Sequence, residues 1–150
     1  ITTKSTYTEY NSLTDGLSIS ELQSQGYIDG SGNLTPSHDA ATANWGGSWR
    51  MPTKEELEEL KNECTWTWTT QNGVNGHKVT GPNGNHIFLP AAGYRYGSSL
   101  NYAGESGYYW SSTPYESNSN LAYSLYFNSS YQSVNWFDRS LGQSVRPVAE

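Results

Sequence analysis

Apolar and polar positions in this chain follow two different periods, with the change at Cys64. Before it, Leu57, Leu60 and Cys64 recur at helical spacing behind Thr53-Lys54-Glu55-Glu56. That tetrad matches a capping box, in which a threonine hydroxyl and a glutamate carboxylate each take one free amide of the first turn. The spacing predicts a helix from Thr53 with one buried stripe. The glutamates at 55, 56, 58 and 59 read as a solvated face and favourable N-terminal charge rather than a catalytic cluster. Upstream, Ser18 to Leu22 predicts a short helix stopping at Gly26. Pro36 to Ala43 predicts another, capped by Ser37 or Asp39. Residues 1–16 show no helical period and read as a surface lead-in ending in the turn Asp15-Gly16, and Tyr27 to Ser37 reads as a loop.

After Cys64 the period becomes two. Thr65-Trp66-Thr67-Trp68-Thr69-Thr70 places both tryptophans on one face of a half-buried strand. Asn72-Gly73, Asn75-Gly76 and Pro82-Asn83-Gly84-Asn85 are turn signals around Lys78-Val79-Thr80 and Ile87-Phe88-Leu89-Pro90, which predicts a small antiparallel meander. Further strands are expected at Tyr108 to Ser111, Ala122 to Phe127, Ser133 to Trp136 and Ser144 to Val148. In the second of these, Tyr123, Leu125 and Phe127 share one face, which leaves Ser124, Tyr126 and Asn128 facing outward. Helices early and strands late, without alternation, define an α+β class.

At 150 residues the chain suits one domain. Its apolar fraction is only 34%, yet it has twelve tyrosines and six tryptophans, so core and surface both lean on aromatic side chains. The net charge of -6 comes with scattered Lys and Arg, so the basic stripe of a nucleic-acid binder is missing. No run approaches the roughly 20 apolar residues of a membrane span. Cys64 is the sole cysteine, which excludes an internal disulfide and a thiolate zinc cluster. Low lysine with abundant Tyr, Thr, Asn and Gly suggests an exported protein.

From Gly93 to Ser140 the sequence is rich in Tyr, Ser, Asn and Gly, and no lysine follows Lys78. Tyr is a rigid amphipathic contact and the small polar residues are adaptable hydrogen-bonders, the alphabet on which antibody paratopes converge. The stretch lies between Gly107-Tyr108-Tyr109-Trp110-Ser111-Ser112-Thr113 and Ser144-Val145-Arg146-Pro147-Val148.

These cassettes, with Asn44-Trp45-Gly46-Gly47-Ser48-Trp49-Arg50-Met51-Pro52-Thr53, Cys64-Thr65-Trp66-Thr67-Trp68, Val79-Thr80-Gly81-Pro82-Asn83-Gly84-Asn85 and Phe88-Leu89-Pro90-Ala91-Ala92-Gly93-Tyr94-Arg95, resemble the Fibrobacter succinogenes major paralogous domain, a family abundant in gut Bacteroidetes. The resemblance runs from about Asp39 to the C-terminus, with residues 1–38 a divergent lead-in. It implies a C-type lectin-like fold with two helices, small antiparallel sheets and long loops. That branch is shared with formylglycine-generating enzymes and with the variable proteins of diversity-generating retroelements. In the latter, mutagenesis of Asn codons scatters Tyr, Ser, Asn and Asp over one face. The resemblance therefore implies that Tyr109, Trp110, Ser111, Val145 and Pro147 are framework. The candidate ligand-binding face is Tyr96, Asn101, Tyr108, Tyr115, Asn118, Asn120, Ser124, Tyr126, Asn128, Tyr131, Asn135, Trp136, Phe137 and Asp138; the competing reading makes several of these core, Trp136 and Phe137 above all. In lectin-like folds the first strand pairs with the last, so either a partner strand lies upstream or residues 1–10 replace it. Family members often have a second cysteine, so Cys64 has either lost a disulfide partner or is a buried free thiol.

Calcium lectins chelate through Glu-Pro-Asn or Gln-Pro-Asp with Trp-Asn-Asp, since hard calcium needs converging oxygens. Only Gly81-Pro82-Asn83-Gly84 and Val134-Asn135-Trp136 approach that, and the first reads as a turn. His38, His77 and His86 lack ligand spacing and are expected at the surface or in turns. Arg50 and Arg146 are expected in structural pairs. The expectation is a non-enzymatic binding module without metal or cofactor, a monomeric domain of a longer surface-displayed protein such as a lipoprotein, with a protein or glycan ligand. Two alternatives stand beside it: a glycan-binding domain attached to polysaccharide degradation, using Trp66, Trp68, Trp110 or Trp136 as a sugar platform, and a structural or assembly subunit.

Overall fold

A computed structural model of the chain describes residues 14–149. The readings for residues 1–13, including a substitute first strand, lie outside the described residues. Helix α1 (Ile19–Ser24) is capped by Ser18, whose hydroxyl accepts the Glu21 N–H at 3.2 Å while the Glu21 carboxylate accepts the Ser18 N–H at 2.8 Å. Helix α2 (Ala40–Trp45) is capped by Asp39, which settles the choice between Ser37 and Asp39. The buried Asp39 carboxylate accepts the N–H groups of Ala41 at 2.8 Å and Thr42 at 3.0 Å. It also accepts the Met51 N–H, at 3.1 and 2.9 Å on its two oxygens. One side chain thus starts the helix and ties its N-terminus to the segment twelve residues on. Helix α3 (Lys54–Glu63) starts with the expected capping box, and Arg50 grips the Glu56 carboxylate from outside at 2.8 and 2.7 Å. That pairing holds the Glu56 carboxyl below the usual carboxylate range. Arg146, expected in a similar pair, is exposed. The described residues therefore contain α1, α2 and α3, the three helices that the local pattern predicts, where the resemblance implies two.

The strands are β1 (Trp49–Arg50), β2 (Thr65–Gln71), β3 (Val74–Thr80), β4 (His86–Pro90), β5 (Tyr94–Tyr96), β6 (Ser99–Asn101), β7 (Gly107–Pro114), β8 (Leu121–Phe127), β9 (Gln132–Asp138) and β10 (Val148–Ala149). Strands β2, β3 and β4 form the expected meander. Asn72 and Gly73 take φ of 52° and 77° in a two-residue loop between Gln71 and Val74, the geometry that favours Asn-Gly. Asn75-Gly76, expected as a turn, instead lies inside β3. A Cβ at Gly76 would sit 2.2 Å from the Leu89 carbonyl oxygen, so glycine serves close strand approach there. The β5–β6 hairpin had no counterpart in the expected strands.

The central sheet has the order β7-β8-β9. The free edge of β7 is met by Ser144, whose carbonyl accepts the Trp110 N–H at 2.9 Å and whose N–H donates to the Tyr108 carbonyl at 3.0 Å. The ladder strand expected from Ser144 to Val148 is thus reduced to this bridge and to β10. Strand β10 pairs antiparallel with β1, Arg50 opposite Val148. One face of the central sheet packs Tyr109, Leu125, Phe127 and Val134 against Leu57 of α3 and Val79 and Leu89 of the meander. The other packs Trp110 and Ala122 against Ala41 of α2 and Met51, with Phe137, Leu141 and Val145 around them. Both faces are therefore covered over much of their length, and an alternating strand inside such a sandwich has no solvated side. Cys64 is a free, half-buried thiol against the first cluster, in line with its place on the α3 stripe. The start of the described chain is buried too, since Thr14, expected at the surface, accepts a hydrogen bond from Arg139 Nη2 at 2.8 Å.

Candidate binding face

By register, Tyr108 and Trp110 of β7, Ser124 and Tyr126 of β8, and Ser133, Asn135 and Phe137 of β9 share one face. Its Trp110 end is closed by α2 and the 141–145 segment. Its Tyr108 end carries a continuous aromatic run. Tyr108 touches Tyr94 at 5.0 Å, Tyr126 at 5.1 Å and Phe137 at 5.5 Å between ring centroids, with edge-on or tilted geometry. Tyr94 continues to Tyr102 at 6.0 Å, and Tyr126 continues to Tyr131 at 6.3 Å. The run is buried in the middle and open at the ends: Tyr108 is 8% exposed, Tyr102 is 55% and Tyr131 is 54%.

The β5–β6 hairpin brings Tyr94 and Tyr102 to this face. It is held by Arg95, whose N–H donates to the Gly142 carbonyl at 2.7 Å while the Gly142 N–H donates back at 2.8 Å. Tyr96 and Leu100 project from it as exposed side chains. Burial, reinforced by the neighbouring phenols of Tyr126, Tyr94 and Tyr102, pushes the Tyr108 hydroxyl up to about 12. Tyr109, on the opposite face, is raised further by burial, and its hydroxyl donates to the Pro90 carbonyl at 2.7 Å.

Two expected contact residues are foundations instead. Tyr108 is enclosed by three rings, and Ser124 is fully buried. The Ser124 hydroxyl donates within the sheet to the Tyr109 carbonyl at 3.0 Å and lies against Gln143 Oε1. The sequence alternation correctly separated Ser124 and Tyr126 from Leu125 and Phe127, but segments distant in the chain cover the supposed outer side. Phe137 is half-buried against the second core cluster, as its core reading had it, whereas Trp136 is exposed.

The other candidates separate by location. Asn101 is half-buried on β6, and Tyr131 and Asn128 lie at the β8–β9 turn, where Asn128 Nδ2 donates to the Tyr126 hydroxyl at 3.1 Å. Asn135 is exposed on the aromatic face. Asn118 and Asn120 build the β7–β8 connection, with Asn120 Oδ1 accepting the Gly16 N–H at 3.1 Å. Asp138 is exposed and accepts the Ser140 N–H at 2.8 Å. Tyr115 and Trp136 are on the opposite side of the sheet, stacked at 4.8 Å with planes 9° apart. Tyr115 also meets Tyr123 edge-on at 5.6 Å. The Tyr123 hydroxyl donates to both Glu116 oxygens at 3.0 and 2.8 Å, and Lys54 Nζ is 4.1 Å from the Tyr123 ring centroid. The single patch expected from sequence is therefore two separate aromatic surfaces.

Sequence reasoning missed Tyr94, Tyr102 and Leu100. The signal available was the pair of tyrosines at period two before Gly97-Ser98, a hairpin signature that the neighbouring cassette obscured. Trp110, offered as a sugar platform, is buried, and Trp66 and Trp68 are half-buried against His77 at 5.3 and 5.2 Å. His77 itself is buried rather than at the surface. Its Nε2 lies 2.7 Å from the Asn128 carbonyl, so that nitrogen carries the proton and joins the meander to the β8–β9 turn. His38 Nδ1 is 3.0 Å from the hydroxyls of Thr35 and Ser37, and His86 is exposed. Among the described residues no group of three or more His, Cys, Asp or Glu side chains converges as a metal site would. None of their helices is long and apolar enough to cross a membrane.

Fold and face together define a small α+β domain whose central sheet presents an aromatic contact surface. The chain belongs to a domain family of unknown function, DUF8237, whose model matches residues 50–148. Those limits coincide with the Arg50–Val148 pair of the β1–β10 closure. No curated protein and no solved structure gives a significant match.

Proposed function

We propose that this domain is a non-enzymatic ligand-binding module of C-type lectin-like architecture, displayed at a bacterial cell surface as part of a longer protein. Its ligand is a protein or a glycan, held by the face that runs from Tyr102 to Tyr131. The observation that carries this reading is the aromatic run itself, anchored on buried Tyr108 and ending in exposed phenols. An anchored row of this kind loses little side-chain entropy on binding, and each phenol offers a large apolar area with one polar tip. Support for the architecture comes from the cassettes that resemble the Fibrobacter succinogenes major paralogous domain and from the meeting of first and last described strands. Tyr96, Leu100, Tyr102 and Tyr131 are the side chains best placed for contact, and Asn101, Asn128 and Asn135 supply amide hydrogen bonds among them. These are also the positions at which retroelement-type diversification would change the ligand without disturbing the core.

The test uses a panel of purified host and bacterial surface proteins together with a glycan array, probed with the wild-type chain and with Tyr96→Ser/Tyr102→Ser/Tyr131→Ser. The expected result is a ligand that the wild type binds and the triple variant does not, with the melting temperature unchanged within a few degrees. A ligand retained in full by the triple variant would place recognition elsewhere and overturn the reading.

A further inference from the structure

The pair Tyr115 and Trp136, on the side of the sheet away from the tyrosine run, is a second and chemically different surface. Trp136 is 48% exposed although Tyr115 lies parallel to it at 4.8 Å, so the indole is fixed in orientation while part of it stays open to solvent. It sits directly opposite Tyr123 on the neighbouring strand. Tyr123 binds the Glu116 carboxylate through its hydroxyl and lies under the Lys54 ammonium. The Glu116 carboxyl is held below its usual range by its own backbone N–H and by the Tyr123 hydroxyl, so it is an ionised acceptor at neutral pH. A flat, electron-rich ring on β9 is therefore linked through Tyr115 and Tyr123 to an anionic acceptor in the β7–β8 connection and a cationic donor at the start of α3.

We infer that Trp136, Glu116 and Lys54 form a subsite for a neutral pyranose ring of a polysaccharide. The apolar C–H face of a pyranose stacks on an indole, and its equatorial hydroxyls, projecting in the plane of the ring, need both acceptors and donors at the platform's edge. Glu116 supplies the acceptor oxygens and Lys54 the donor. A proline-containing peptide would also stack on the indole, but its ring has no edge hydroxyls with which to engage Glu116 and Lys54. The tyrosine run lies on the opposite face of the sheet by register, so the two surfaces are spatially separate and the domain binds a polysaccharide independently of its tyrosine-face ligand.

Affinity electrophoresis in gels containing xylan, mannan, mixed-linkage β-glucan or galactan separates these claims. Retardation of the wild type by at least one neutral polysaccharide is expected, with affinity lowered about tenfold or more in Trp136→Ala and largely kept in Trp136→Tyr. Glu116→Gln, a near-isosteric change of an exposed group, should weaken binding about fivefold, because charge-assisted hydrogen bonds are the stronger kind. Tyr102→Ser/Tyr131→Ser should retain wild-type retardation, which distinguishes this subsite from the tyrosine face. Absence of retardation in all four gels overturns the inference, as does equal binding by wild type and Trp136→Ala. Loss of retardation in the Tyr102→Ser/Tyr131→Ser variant would assign the polysaccharide to the other face. Binding of a proline-rich peptide at Trp136 without any polysaccharide retardation also counts against it.

Discussion

Truncating the aromatic run ring by ring should produce a steep gradient in stability, because its members differ in burial far more than in chemistry. Tyr108 is 8% exposed and touches Tyr94, Tyr126 and Phe137. Tyr108→Ala removes a buried ring and leaves a void between two layers that cannot close fully. A cost of about 3–5 kcal/mol is expected, or roughly 6–20 °C in melting temperature for a chain of this size. Tyr108→Phe keeps the ring and removes only a hydroxyl that burial already disfavours in its charged form, so it should cost under about 1 kcal/mol. Tyr126 is half-buried and accepts a hydrogen bond from Asn128, which places Tyr126→Ala between the extremes at about 1–3 kcal/mol. Tyr131, more than half exposed at the end of the run, should lose no more than about 0.5 kcal/mol on truncation. Equilibrium urea unfolding followed by tryptophan fluorescence and by far-ultraviolet circular dichroism reads all four, with coincident transitions as the check on two-state behaviour. A Tyr131→Ala cost matching that of Tyr108→Ala would mean that the end of the run is core, and the division into foundation and contact residues would be wrong.

Asp39→Ala should cost about 2–4 kcal/mol by thermal or urea unfolding, since it removes the α2 cap and orphans the Met51 N–H. Asp39→Asn, which keeps a capping oxygen, should recover part of that loss. At high pH the folded Tyr108 phenol stays protonated past the pH at which an unfolded tyrosine ionises, so its contribution is complete below about 10 and lost as pH rises toward about 12. Phenolate absorbance during an alkaline titration should therefore show a fraction of tyrosine that ionises only with unfolding; if every tyrosine ionises reversibly near 10 with the fold intact, the burial argument fails.

Helix starts were legible because their determinants are local. Ser18, Asp39 and Thr53 each satisfy amides within three residues, and no distant segment has to be known. The Trp66/Trp68 alternation and the Asn72-Gly73 hairpin were legible for the same reason. Asn75-Gly76 misled because a glycine needed for close strand approach has the same letter as a glycine needed for a turn. Ser124 misled because alternation divides a strand into two faces without saying which is solvated. The cover over Ser124 comes from Gln143, nineteen residues on in the chain, in the segment that closes this end of the face. His77 was read from the lack of ligand spacing around it, whereas its burial follows from the register that sets it among Trp66, Trp68 and Phe127.

In the proposed binding role, the arrangement separates what stabilises the domain from the side chains that would meet a ligand. The elements that fix the central sheet are the Asp39 to Met51 tie, the Arg50 grip on Glu56, the Ser144 bridge at the β7 edge and the β1–β10 closure. All of these lie outside the two hairpins that carry Tyr96, Leu100, Tyr102 and Tyr131. Backbone hydrogen bonds between Arg95 and Gly142 attach the β5–β6 hairpin to that frame, and one from the Asn128 N–H to the Tyr131 carbonyl closes the β8–β9 turn; the strength of these bonds does not depend on side-chain identity. Residues exposed on such backbone-anchored loops can therefore change with costs near zero, while changes at Tyr108, Ser124 or Trp110 are felt by both layers. Under the proposed function, such a surface would take on new ligands by substitution at its exposed tips alone, with the buried rings beneath them keeping each new tip in position.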